Sequence, residues 1–274
     1  MANSNGLPEN RKGVLIQFLQ YYKGFLFKVS VIFILAFLPL FFTSFIFNET
    51  IIQININSEQ FIDESIKLVL IYLMPMGVSI FIVLLVLFGV MHILKQLIYK
   101  EGVMFWYDFF TPIKKNIKYI FQHSLIVLLM WTLFSIVTQL SLELFDGLDI
   151  IIFVKGLEFI LYFVYVILLT TVFLLKVIYD GQIQIMRTGF KIIALEFPKF
   201  IVVFVIPFMV MILAMQLNIL IGMWILAGLS LGVFGLLMLI KIIFLMTLFD
   251  EYINQYTHKH LYQKGLRIVK KTKK

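Results

Sequence analysis

The sequence predicts an all-α fold, a polytopic bundle of transmembrane helices with six spans and with amphipathic helices lying on the cytoplasmic surface of the membrane. Composition is the first reason. Hydrophobic residues make up 62% of the 274 residues, charged residues make up 14%, and the mean hydropathy is +1.01. A soluble domain has about 45–50% apolar and about 25% charged residues. The second reason is that the charges fall in short clusters between long apolar runs. Lipid is therefore the expected solvent for most of the chain.

Six apolar runs have the length that a transmembrane helix needs, about 20 residues. They lie at approximately 25–47, 68–94, 124–142, 150–175, 200–217 and 222–249. The last two come from one uncharged stretch, 200–240, which is about twice as long as one span. Gln216, Asn218 and Gly222 lie near its middle, and a tight hairpin is predicted there. The chain 1–274 is then one integral membrane domain with a basic tail at 250–274.

The sign of the charge alternates from link to link. Four basic residues against one acidic residue precede the first span, whereas the link 48–67 carries four acidic residues against one basic residue. The links at 95–118 and 176–199 are basic, the link at 143–149 is acidic, and the tail is strongly basic. Because short loops rich in Lys and Arg stay in the cytoplasm, both termini are predicted to be cytoplasmic, which requires an even number of spans. The basic tail is interpreted as facing anionic lipid, with no role in binding nucleic acid.

In two of the predicted cytoplasmic segments, apolar residues recur with the period of an α-helix, which predicts amphipathic helices that lie in the headgroup layer. In the segment "GVLIQFLQYYKGF", the apolar face consists of Val14, Leu15, Phe18, Leu19 and Tyr22. In the second segment, Thr111 is a residue type that favours the N-cap position of a helix, and Pro112 is a type that favours the first helical position. Its apolar stripe, expected to rest in the inner leaflet, consists of Ile113, Ile117, Ile120, Phe121 and Ser124. The opposite face, expected to meet the phosphates of anionic lipids, carries Lys114, Lys115 and Lys118.

The second segment belongs to the stretch "YKEGVMFWYDFFTPIKKNIKYIF", in which an aromatic-Asp108-Phe-Phe element precedes the lysines. Together with "FLPLFFTS" at 37–44 and "GFKIIALEFPKFIVV" at 189–203, it resembles the YesL-like family of bacterial integral membrane proteins. The resemblance implies a bacterial cytoplasmic membrane protein associated with carbohydrate uptake, in an accessory or regulatory role beside a transporter subunit. Asp108 and the three lysines are then a candidate surface for lipid or for a partner protein.

Polar side chains within the predicted spans suggest a different function, secondary transport of a small solute. Lys155 and Glu158 lie one turn apart in the fourth span, where they either form an ion site or neutralise each other near the outer interface. A polar stripe on the third span either lines a solute path or joins helices by hydrogen bonds. It consists of Thr132, Ser135, Thr138 and Gln139.

The sequence offers no constellation for catalysis, for a cofactor or for a metal. His92 and His123 lie near the inner ends of the second and third spans, without carboxylates or further histidines that could be placed beside them. An intramembrane enzyme is therefore the remotest alternative. Gly228 and Gly232 form a GxxxG motif in the sixth span, which predicts close packing against a neighbouring helix or against a second copy of the chain.

Overall fold

The computed structural model is helical in all the regular structure of its described residues, so the predicted all-α class is confirmed. It describes residue 8 and residues 10–54, 61–144, 148–216 and 219–266; the side chains of 52, 142–144, 148–151, 205–216 and 219–233 lie outside this description. The helices are α1 (Arg11–Tyr21), α2 (Lys23–Ile52), α3 (Phe61–Ile98), α4 (Phe105–Leu144), α5 (Leu148–Tyr179), α6 (Ile185–Gln216) and α7 (Ile219–Phe249), followed by a π-helical turn (Asp250–Asn254).

Within the described part of the chain, four helices are long and apolar enough to cross a membrane. They are Lys23–Ile51, Phe61–Ile98, Phe105–Ser141 and Ile152–Tyr179, which correspond to the first four predicted spans. A helix break separates Gln216 from Ile219, and the residues between them, 217 and 218, lie outside the described part of the chain. The membrane character of the chain is thus supported, while the count of six spans and the orientation of the termini stay predictions.

The same backbone bend occurs three times. It lies at Tyr22 (φ −121°, ψ 24°), at Asn116 (φ −115°, ψ 17°) and at Glu196 (φ −117°, ψ 21°). In each case a helix begins eleven residues before the bend, at Arg11, Phe105 or Ile185, and a long apolar helix follows it. We name these segments the first elbow (11–30), the second elbow (105–124) and the third elbow (185–204). Each elbow joins a short helix to a long apolar one.

Helix α4 begins at Phe105, so the predicted N-cap at Thr111 is wrong. The Asp108 carboxylate accepts a hydrogen bond from the Met104 amide at 2.6 Å, and an acidic side chain in the first turn favours a helix N-terminus. Thr111 lies inside the helix, where its hydroxyl donates to the carbonyl of Tyr107 at 2.7 Å. Asp108 is thus part of the start of the helix.

Some side chains of the apolar stripes predicted to rest in lipid are buried within the protein, and others are exposed on its surface. Ile113, Ile120 and Ser124 are buried within the protein, whereas Ile117 and Phe121 are about half exposed. In α1, Val14 and Phe18 are completely buried. A helical period shows that one face is apolar, but it does not show how much of that face packs against the rest of the chain.

The chain folds into two compact units. The first contains the described residues of Met1–Ile32, Phe88–Pro112 and Thr170–Lys274. Within it, the rings of Phe88 and Phe173 pack edge to face, with their centroids 5.3 Å apart. The amide of Gly235 in α7 donates to the Ser30 hydroxyl at 2.9 Å. A Cβ atom at Gly235 would overlap the carbonyl of Leu26, so glycine permits this close approach.

The second unit contains Phe33–Leu87 and the described residues of Ile113–Leu169. Its helices pack around Phe47, whose ring meets Trp131 edge to face at 5.1 Å and Tyr72 at 5.5 Å. Thr43 Oγ1 and Ser79 Oγ lie 3.3 Å apart between α2 and α3, each four residues after a proline. Aromatic contacts and a hydroxyl contact between α2 and α3 thus join helices of this unit.

Candidate functional site

The predicted pair in α5 is present. Lys155 Nζ lies 2.7 Å from Glu158 Oε2, and the lysine side chain is 52% exposed against 18% for the glutamate. The pairing is confirmed. The lysine side chain lies largely on the surface, and among the described side chains no third charged group pairs with Lys155 or Glu158.

One polar side chain of the stripe on α4 forms a hydrogen bond within its own helix. The Thr132 hydroxyl donates to the Leu128 carbonyl at 2.9 Å, whereas Ser135, Thr138 and Gln139 are buried. Thr138 Oγ1 has no hydrogen-bond partner among the described residues. The stripe is thus an inward-facing group of three polar side chains.

The two histidines of the predicted spans do not form a metal site among the described residues. His123 Nδ1 lies 3.1 Å from the Tyr165 hydroxyl, and its ring packs edge to face on Tyr119. The histidine is therefore part of an aromatic contact in the second unit. Gly228 and Gly232 fall in the part of α7 whose surroundings the structure does not describe.

The richest polar site, which the sequence analysis did not predict, surrounds the end of α7 in the first unit. Arg11 Nη2 donates to Asp250 Oδ2 at 2.7 Å, and both side chains are about nine-tenths buried. Asp250 Oδ1 also accepts from Asn254 Nδ2 at 2.8 Å and from the Gln263 amide at 3.3 Å. The Tyr179 hydroxyl donates to Asn254 Oδ1 at 2.7 Å. One buried carboxylate thus ties α1, the π-helical turn and the tail together.

A second group of charges adjoins this one. Glu101 accepts from Lys264 at 2.6 Å and from Lys95 at 3.2 Å, and both ammonium groups lie over the ring of Tyr99, 5.0 Å and 5.3 Å from its centroid. Burial raises the pKa of Glu101, but the bond from Lys264 and the charge of Lys95 outweigh it and hold that pKa below its ordinary value. Burial and the charge of Asp250 raise the pKa of Tyr99, so its hydroxyl stays protonated.

The described part of the basic tail, to residue 266, packs against other residues of the first unit. Leu261 and Leu266 are buried, and the ring of His258 lies 5.0 Å from that of Tyr179. Gly265 has a left-handed backbone (φ 82°), and a Cβ atom there would overlap the carbonyl oxygen of Ile98. This part of the tail is therefore a folded element. We call it, with the residues around Asp250 and Glu101, the terminal cluster.

The third elbow is joined to the same end of α7. Glu196, at the bend, accepts a hydrogen bond from the Tyr252 hydroxyl at 2.5 Å and pairs with Lys199 at 2.7 Å. These two bonds hold the pKa of Glu196 below its ordinary value. Two of the three elbows thus bind to the π-helical turn, the first through Arg11 and the third through Glu196.

A groove of about 690 Å³ opens beside the terminal cluster. Its apolar wall includes Leu15, Ile243 and Phe244, and its polar lining includes Lys12 and Glu251. We call it the terminal groove; its other lining residues are Asn10, Arg11, Ile240, Thr247, Asp250, Gln255, Tyr262, Gln263 and Leu266. Its volume lies within the range of about 300–1,000 Å³ that is usual for binding pockets.

Comparison of the chain with protein-family models, with curated proteins and with solved structures gave no match. The resemblance to the YesL-like family therefore rests on the three sequence stretches alone.

Proposed function

We propose that this chain is an accessory membrane subunit that binds a partner protein at the terminal groove. The observation that carries the proposal is the groove itself, which combines an apolar wall with a polar rim as the core and rim of protein interfaces do. The terminal cluster supports it, because a binding surface backed by buried ion pairs keeps its shape and loses little entropy on binding. By the rule that basic loops stay inside, the groove faces the cytoplasm.

The association with carbohydrate uptake is implied by the YesL-like resemblance and decides the choice of assay. Deletion of the gene should lower the uptake of labelled oligosaccharides by cells, and expression of the wild-type chain should restore it. Tyr262→Ala, in the groove, should insert normally but fail to restore uptake. Tyr256→Ala is the matched control, since Tyr256 is 69% exposed and does not line the groove.

Secondary transport is the second candidate, favoured by the buried Ser135, Thr138 and Gln139. The purified chain in liposomes separates the two functions. An accessory subunit should give no uptake when it is alone in the bilayer. Uptake by the purified chain would contradict the accessory role and support transport.

A further inference from the structure

The three elbows have matching exposure as well as matching bends. Counting the first helical residue as position 1, position 6 is occupied by Ile16, Phe110 and Phe190, which are 55%, 48% and 54% exposed. Position 17, beyond the bend, is occupied by Phe27, Phe121 and Ile201, which are 50%, 49% and 39% exposed. Large apolar side chains therefore stand at the same two surface positions of each elbow.

The buried positions match in the same way. Position 16 holds Leu26, Ile120 and Phe200, of which none is more than 4% exposed. Position 20 holds Ser30, Ser124 and Phe204, of which none is more than 3% exposed. Each elbow thus turns one face to the protein and leaves large apolar side chains at positions 6 and 17 between 39% and 55% exposed.

A non-glycine residue with positive φ also follows each pair of long helices, within two residues of the ends of α3 and α5 and 14 residues after the end of α7. The described non-glycine residues with positive φ are Lys100 (57°), Asp180 (43°) and Gln263 (54°). Each directly follows a tyrosine, namely Tyr99, Tyr179 or Tyr262. Positive φ is uncommon outside glycine, and Lys and Gln are not among the residues that favour it. Its recurrence after tyrosine marks three segments of similar build, 11–100, 105–180 and 185–263.

We propose that these segments are three copies of one membrane-anchoring unit, and that the exposed face of each elbow binds lipid in the headgroup layer. Depth is the first argument for lipid. Each elbow continues without a break in the chain into a long apolar helix, so the side chains at positions 6 and 17 lie close to the start of that helix.

Charge is the second argument. Each elbow carries three exposed basic residues: Lys12, Lys23 and Lys28; Lys114, Lys115 and Lys118; Arg187, Lys191 and Lys199. The acidic residues of the elbows are Asp108, which accepts from the Met104 amide, and Glu196, which pairs with Lys199, so the second and third elbows each keep a net charge of +2. The exposed faces are thus basic and suit lipid phosphates.

The positions of the basic residues differ among the elbows, whereas positions 6 and 17 hold an exposed apolar side chain in all three. A protein partner would require fixed charge positions for each ion pair. A fluid layer of phosphates accepts basic side chains at varied positions, provided that the apolar side chains reach the same depth. The pattern therefore favours lipid over a protein partner.

The chain contains no cysteine, so single cysteines can be introduced without removing others. Ile16→Cys, Phe110→Cys and Phe190→Cys would each carry a nitroxide spin label in nanodiscs made of phosphatidylethanolamine and phosphatidylglycerol. Collision rates with oxygen and with a water-soluble nickel complex report the depth of each label. We expect all three labels to favour oxygen and to lie at a common depth, about 5–10 Å into the headgroup and acyl boundary.

Ile120→Cys and Phe200→Cys are the matched controls, and labels there should collide little with either reagent because both side chains are buried. If a position 6 variant fails to fold, Phe27→Cys, Phe121→Cys or Ile201→Cys takes its place. A label that favours the nickel complex would show an elbow in water and overturn the proposal. A label at position 6 that is protected from both reagents would show a protein contact there, and would overturn it too.

Discussion

The buried ion pair between Arg11 and Asp250 gives the sharpest test of the terminal cluster. Arg11→Met removes the guanidinium but keeps an apolar side chain of similar length. Asp250 would stay buried with two neutral donors, Asn254 and the Gln263 amide. Breaking a buried pair by removing one partner costs about 3–5 kcal/mol. Since two donors remain, we expect a cost near the lower end, about 3 kcal/mol.

Amide hydrogen exchange of α1 measures this cost directly. If α1 opens locally, a loss of about 3 kcal/mol raises its exchange rate about 100-fold, because every 1.4 kcal/mol is a factor of ten. Lys12→Met is the matched control, since it changes the neighbouring residue in the same way at an exposed position. Measured in a neutral detergent, where no anionic lipid is present, it should leave exchange in α1 almost unchanged.

A double-mutant cycle completes the test. Arg11→Met combined with Asp250→Asn removes both charges, so exchange in α1 should be slower than the sum of the two single effects predicts. The reasoning about the cluster is refuted if Arg11→Met and Lys12→Met give the same exchange, or if the two changes at the pair add without coupling.

Three further predictions concern the tail and α5. Gly265→Ala should detach the tail, because its Cβ atom would overlap the Ile98 carbonyl and its backbone is left-handed; limited proteolysis after residue 257 measures this, and unchanged cleavage contradicts it. Because the pKa of Glu101 is lowered by folding, its stabilising contribution is complete above its ordinary pKa of 4.5 and is lost as the pH falls through the folded value. The protection of 258–266 against amide exchange, corrected for the intrinsic exchange rate at each pH, should therefore be constant near neutral pH and fall once the pH drops below 4.5, and Glu101→Gln should remove this fall. Glu158→Gln should leave oligosaccharide uptake by cells unchanged, because the pair with Lys155 is exposed; loss of uptake would favour a transport site in α5.

The class of the fold could be predicted because long apolar runs and clustered charges have one common explanation, a lipid solvent. The pair of Lys155 and Glu158 could also be predicted, because neighbours three residues apart share a helix face. The start of α4 could not be predicted from the sequence, because Thr111 and Pro112 are compatible both with a helix N-terminus and with a position inside this helix. Only the bond from Met104 to Asp108 decides between them.

The terminal cluster could not be predicted, since its residues are far apart in the chain. Arg11 and Asp250 are 239 residues apart. In the sequence, each is one of several charged residues beside a predicted span, and nothing marks the two as partners. Tyr22, Asn116 and Glu196 adopt nearly the same bend with unlike side chains, so residue type gives no signal for the elbows. What the elbows share is the pattern of exposure, which becomes visible only when the chain is folded.

We propose that the chain forms three membrane hairpins, each preceded by an elbow on the side of the termini. Single cysteines at Asn57, Gly147 and Asn218, one in each predicted outer link, should react with an impermeant thiol reagent added to intact cells. Cysteines at Gly102, Gly181 and Lys271 should react only after the cells are opened. Labelling of Lys271 from outside, or protection of Asn218 from outside, would contradict the three-hairpin account.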